Sequence, residues 1–177
     1  MDHFHYKKGV LHCESVDLRM LAETFATPLY VYSRQTLLDH YDRVVAAFSR
    51  LKPMICFSVK SCHNLSILRL LAARGSAFDV VSGGELARTM EAGVDPSRVV
   101  YAGVGKTDHE IRSAVDAGIA WFNVESEAEL DNLATIAEGM GKTARVALRV
   151  NPDVDPHTHV YTTTGKRETK PLSFFGW

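Results

Sequence analysis

Short apolar runs alternate with amphipathic stretches along this chain, and the alternation predicts a strand–helix repeat. Leu29-Tyr30-Val31-Tyr32 reads as a short strand. Ser33 then caps a helix from Arg34 to about Leu51, with Leu37, Leu38, Tyr41, Val44, Val45 and Phe48 on one face. Residues 53–60, apolar on both faces, read as a buried parallel-type strand ending at Lys60. A helix through residues 65–71 stops near Gly75. Three further units follow. Residues 77–81 form a strand, and Ser82-Gly83-Gly84 opens the helix of Leu86 and Met90; residues 99–102 lead to a helix near Thr107; residues 121–124 lead to a helix after Ser126, with Glu127 and Glu129 in its first turn. A last strand, residues 144–150, runs into Asn151-Pro152.

Repetition of this kind, at about 20 to 25 residues per unit, means parallel strands joined by crossover helices. The fold class is α/β, and two architectures compete: a doubly wound open sheet and a (β/α)8 TIM barrel. No GxGxxG follows the first strands, which counts against a dinucleotide-binding sheet. A barrel takes about 250 residues, whereas this chain has 177 and shows about five barrel strands. A partial barrel is therefore expected. Residues 151–170 have no apolar period, and the chain closes on the aromatic Pro171-Leu172-Ser173-Phe174-Phe175-Gly176-Trp177, unlike the end of a finished domain.

Composition narrows the setting. Hydrophobic residues at 46% and charged residues at 23% are ordinary globular values, against disorder. A net charge of -1 supplies no field for nucleic acid or an anionic membrane. No stretch of about 18 apolar residues occurs, so no membrane span is expected, and the first residues lack a signal-peptide core. Cys13, Cys56 and Cys62 are odd in number and show no CxxC spacing, which points to a reducing, cytoplasmic setting.

Charged and amide groups recur at successive strand tips: Lys60, Asp79 with Glu85, Lys106, Asn123 with Glu125, and Arg149 with Asn151. In a parallel barrel such tips converge on one face. A lysine held there in a partly dry pocket loses some preference for its charged form and can attack a carbonyl. The plainer reading, a strand-end lysine in water, stands beside it, since lysine is seldom buried. Asp79, between Phe78 and Val80, is costly to bury unpaired and calls for a partner; Lys60 is one, and a loop amide another. Ser82-Gly83-Gly84 could present amides to a phosphate, although a plain helix cap explains it better. The His-x-His pairs at 3/5 and 157/159 lack ligand companions, so no metal is expected.

These tips, in this order, resemble the diaminopimelate decarboxylases of the alanine-racemase-like, fold type III pyridoxal-phosphate family. The matching stretches include Phe57-Ser58-Val59-Lys60, Phe78-Asp79-Val80-Val81-Ser82-Gly83-Gly84-Glu85, Gly103-Val104-Gly105-Lys106-Thr107 and Arg149-Val150-Asn151-Pro152-Asp153-Val154. The likeness extends over nearly the whole chain to Lys170. It implies that Lys60 forms the internal aldimine with pyridoxal 5'-phosphate and is the catalytic lysine. It implies further that Asp79, Glu85, Arg149 and His159 order the cofactor pocket, and that meso-2,6-diaminopimelate, a small amino acid, is decarboxylated to L-lysine. Homodimers are typical of the resembled family. Residues 1–27 would belong to its β domain and 28–170 to an incomplete cofactor-binding barrel, with 171–177 a divergent tail. The family's ring-stacking histidine, glycine-rich phosphate loop and Glu-Pro-Gly-Arg segment have no match here, so a truncated chain, weakly active or inactive alone, is expected. The alternatives are a non-catalytic pyridoxal-phosphate carrier or interaction protein on a half-barrel, and a related arginine, ornithine or carboxynorspermidine decarboxylase.

Overall fold

The computed structural model describes residues 2–150. It divides into two compact units, Met1–Pro53 and a second that begins at Met54, each described here by itself. The expected division between residues 27 and 28 does not coincide with this one; the limits at residue 170 and the tail lie outside the described residues.

In the first unit, β1 (Phe4–Lys7), β2 (Val10–Cys13) and β3 (Val16–Asp17) form an antiparallel sheet in that order. Helix α1 (Leu18–Phe25) follows directly, capped by Asp17, whose carboxylate accepts the Arg19 N–H at 2.8 Å. Sequence patterning had supplied no separate strands or helix before Pro28. Glu14 then ties this sheet to α2 (Arg34–Ala47), accepting from the Ser33 hydroxyl and the Gln35 N–H, both at 2.8 Å. Ser33 caps α2 as expected. The predicted strand at residues 29–32 is absent: these residues pair with no strand among the described residues, and Tyr30 is 85% exposed. Aromatic and β-branched composition favours a strand only where a neighbouring strand accepts the backbone bonds.

In the second unit, β4 (Cys56–Ser58), β5 (Ala77–Val80), β6 (Val99–Tyr101), β7 (Trp121–Val124) and β8 (Val146–Leu148) form one parallel sheet in sequential order. The crossovers carry α3 (Leu65–Ala73), α4 (Gly83–Glu91), α5 (Asp108–Ala117) and α6 (Glu127–Gly139). Sequential order matters, because a doubly wound sheet reverses direction at a switch point. With right-handed crossovers, unreversed order keeps the helices on one face, as in a barrel wall. The sheet is therefore a partial (β/α)8 barrel.

Helix starts are written in side chains: Asn64, Ser82, Thr107 and Ser126 each cap the helix that follows. Gly118 ends α5 in the left-handed region, at φ 73°. Phe78, Val80, Val99, Tyr101, Phe122 and Val124 of the strands are buried with Leu68 and Ile111 of the helices. Burial of this apolar layer, at about 25 cal/mol per Å2, is what fixes the register of the strand tips. Val146 and Leu148 of β8 stay 41% and 51% exposed, with a strand partner on one side only among the described residues. No described helix is long and apolar enough to cross a membrane.

Candidate active site at the strand tips

The strand expected over residues 53–60 pairs only at Cys56–Ser58; Val59–Ser61 then turn as a short 3-10 helix. Val59 points into the core and is fully buried, while Lys60 is exposed. The partly dry pocket expected around this lysine is thus not seen among the described residues. The reason is positional, since β4 is the edge of the described sheet.

Ser58 and Asp79 face each other in the parallel register. The Ser58 hydroxyl donates to Asp79 Oδ2 at 3.3 Å. Burial pushes the Asp79 carboxyl above its ordinary pKa; the Ser58 hydrogen bond and the charge of Lys60 pull it back. The hydrogen-bonding partner that Asp79 required is therefore Ser58, with Lys60 contributing through its charge. The register supplies this signal: Ser58, the last residue of β4, is paired with Asp79 of β5.

Asp79 leads through Val81 to α4. Here Glu85 accepts the Val81 N–H at 2.9 Å while Ser82 Oγ accepts the Glu85 N–H at 3.2 Å. Glu85 braces the loop leaving β5. Gly83, first residue of α4, donates its N–H to Glu110 Oε1 at 2.7 Å. Glu110 also accepts from the Thr107 N–H at 2.9 Å and its hydroxyl at 2.8 Å. These bonds pull the Glu110 carboxyl down to about 2, with the Thr107 and Gly83 amides the leading causes. A Cβ on Gly83 would stand 2.9 Å from Glu110 Cγ, so glycine serves close approach here rather than phosphate binding. The Tyr101 hydroxyl is buried near Glu110; burial first, then the Glu110 charge, raises its pKa.

Further along the tips, the buried lysine is Lys106, its side chain only 2% exposed. Its ammonium donates to the carbonyls of Gly103 (2.8 Å) and Asn123 (2.9 Å) and to Glu129 Oε1 (2.5 Å). It lies 5.7 Å from the centre of the Tyr101 ring. Glu129 Oε2 accepts the Glu125 N–H at 3.0 Å, and the buried Glu125 carboxylate accepts from Arg149 at 3.0 Å. A cavity of about 270 Å3 opens beside Lys106, Glu125 and Glu129.

Lys60 and Asp79 thus stand together, Glu85 follows on α4, and Arg149 pairs with Glu125 at the β7–β8 tips. No hydrogen bond or ion pair joins Lys60 to Arg149 among the described residues, since their strands lie at opposite ends of the sheet order. His159 lies outside the described residues. The roles of Ser58 and Glu110, and the partnership of Glu129 with Lys106, were not legible in the sequence because each works through a register pair or a cap. No group of three His, Cys, Asp or Glu suited to a metal occurs among the described residues.

A parallel sheet in sequential order, with Lys60 and Asp79 at the C-terminal tips of neighbouring strands, places the chain in the α/β-barrel class. The profile of the "Pyridoxal-dependent decarboxylase, pyridoxal binding domain" matches residues 34–176, and the chain belongs to this family. A diaminopimelate decarboxylase of Haemophilus influenzae is 50% identical over 170 residues, covering 96% of this chain and 41% of that protein. The crystal structure of diaminopimelate decarboxylase from M. jannaschii with L-lysine superposes with a TM-score of 0.85 at 39% identity, over 93% of this chain and 39% of that one. The Helicobacter pylori diaminopimelate decarboxylase complexed with L-lysine gives 0.82 at 41% identity, over 86% and 39%. The chain spans about two fifths of the length of these relatives.

Proposed function

We propose that this chain is the pyridoxal-phosphate-binding part of a cytoplasmic diaminopimelate decarboxylase, which releases CO2 from meso-2,6-diaminopimelate to give L-lysine. The observation that carries the reading is the match of 96% of this chain to such an enzyme, with Lys60 acting on Asp79 through its charge at neighbouring strand tips. The homologous structures were solved with L-lysine, which fits a small amino acid as the partner. The net charge of -1 gives no basis for nucleic-acid binding. The intact enzyme would work as a homodimer.

The residues fit the aldehyde end of the cofactor. Lys60 offers an exposed amine, and Asp79 offers a carboxylate whose ionised form favours a cation beside it. The α4 N-terminus is a different matter, because Glu110 already holds the Gly83 amide, so the phosphate is not seated at that amide. Bound pyridoxal phosphate supplies an electron sink for the pair released when the carboxylate leaves as CO2. Lys60 would hold the aldehyde end of the cofactor, and the Asp79 carboxylate would lie beside it. Glu85 fixes the loop that carries Asp79 onward, and the Glu125–Arg149 pair orders the far tips. The family resemblance adds His159 to the proposed cofactor contacts.

Mixing the chain with pyridoxal phosphate should produce a visible absorbance band and, after borohydride, a stable adduct on Lys60. Lys60→Ala should abolish both. Labelling spread over other lysines, with Lys60 unmodified, would overturn the assignment. Release of CO2 from meso-2,6-diaminopimelate, measured on the chain joined to the remaining length of a homologous enzyme, tests the substrate.

A further inference from the structure

Ser58 makes the one hydrogen bond to the Asp79 carboxylate among the described residues. Its position is imposed by the sheet: Ser58 and Asp79 are paired in the β4–β5 ladder. Oδ2 is therefore tied, and Oδ1 is left without a hydrogen bond among the described residues. We propose that Ser58 is a positioning residue whose hydroxyl holds Asp79 through Oδ2 and so turns Oδ1 toward the Lys60 amine. The inference builds on the reading of Lys60 and Asp79 given under Proposed function.

The surroundings leave few competitors for this role. From β4, Cys56 shares the edge, and the Asp79 charge helps to raise its thiol after burial has done most of it. From the turn after β4 comes Lys60. On the other side β6 presents Val100, an uncharged partner, opposite Asp79. The hydroxyl is thus the neutral group that favours the ionised carboxylate, and its removal leaves burial opposed only by Lys60. A hydrogen bond to a charged group is strong enough to move a carboxyl midpoint by about one pH unit, a tenfold change in proton affinity.

The test is a carbon-13 titration of the Asp79 carboxyl in the 177-residue chain, with Ser58→Ala and Ser58→Thr beside the unchanged protein. Ser58→Ala should raise the Asp79 midpoint by about one pH unit, and Ser58→Thr, which keeps the hydroxyl, should restore it. Ser58→Cys, of similar size but a weak donor, carries the same expectation should the alanine variant fail to fold. An unmoved midpoint in the alanine or cysteine variant, or failure of threonine to restore it, overturns the proposal. Borohydride trapping of pyridoxal phosphate on Lys60, run across pH on the same samples, separates the two claims. A shifted Asp79 midpoint without any Lys60 adduct supports the Ser58 role and counts against the proposed function. An adduct whose pH profile is the same in all variants, with an unmoved midpoint, overturns the Ser58 role and leaves the function standing.

Discussion

Replacing Glu110 by glutamine should cost stability at neutral pH and cost progressively less in acid. The carboxylate accepts the Gly83 and Thr107 amides and the Thr107 hydroxyl, three donors drawn from two successive strand–helix turns. Its pKa falls from 4.5 to about 2. A fall of that size corresponds to about 3 kcal/mol at full value. Solvent reaches the carboxylate, and screening leaves about 1–2 kcal/mol as the expected loss in Glu110→Gln. The sign follows from the lowered folded-state value. The ionised carboxylate stabilises the fold fully above 4.5, and that contribution drains away as pH falls toward about 2. Urea titrations of both proteins from pH 7 down to pH 2.5 read the difference directly. Asp17, Asp39, Asp95, Asp116 and Glu14 are also held low, so both proteins weaken in acid, and only their difference reports Glu110. A difference below about 0.3 kcal/mol at pH 7, or one unchanged down to pH 2.5, would refute the reasoning.

Gly83→Ala forces a methyl against Glu110 Cγ and should cost about 1–2 kcal/mol in urea unfolding. In a Glu110→Ala background the same change should cost almost nothing, because the obstructing side chain is gone. Lys106→Met strips an ammonium from two carbonyls and leaves Glu129 bonded only to backbone amide and solvent. A loss of about 3 kcal/mol is expected, with part of it recovered in the Lys106→Met, Glu129→Gln double variant. A loss below about 1 kcal/mol by chemical denaturation would show the buried pair to be unimportant.

The strand–helix repeat was plain in the chain because its strands are apolar on both faces and its helices start at Ser, Thr or Asn. What patterning could not supply was partnership. Residues 29–32 are rich in strand formers, but no strand forms there among the described residues. Lys60 and Lys106 show the same limit at the tips. Each follows an apolar strand and reads alike in one dimension, yet one is exposed and the other is enclosed by two carbonyls and a carboxylate. The difference arises from position in the sheet: β4 is an edge, whereas Lys106 lies between the tips of β6 and β7. The family motif singled out Lys60 where periodicity treated the two lysines equally. Asp79 was legible as a residue needing a partner, but its serine partner becomes visible only once β4 and β5 are set in register.

Three consecutive strand–helix turns close with a hydroxyl residue followed three positions later by glutamate: Ser82 with Glu85, Thr107 with Glu110, Ser126 with Glu129. Each glutamate also folds back onto a backbone amide at the start of its own turn. The polar rim of the sheet is thereby satisfied from within. The carboxylates stay ionised but are engaged by amides, and helix starts that would gather stray anions carry an internal one. Of the tip cations, Lys106 and Arg149 are each bonded to a glutamate, whereas Lys60 has no such bond among the described residues. Among the described tip cations, Lys60 is thus left without a carboxylate hydrogen bond because the turns beside it satisfy their own glutamates from within.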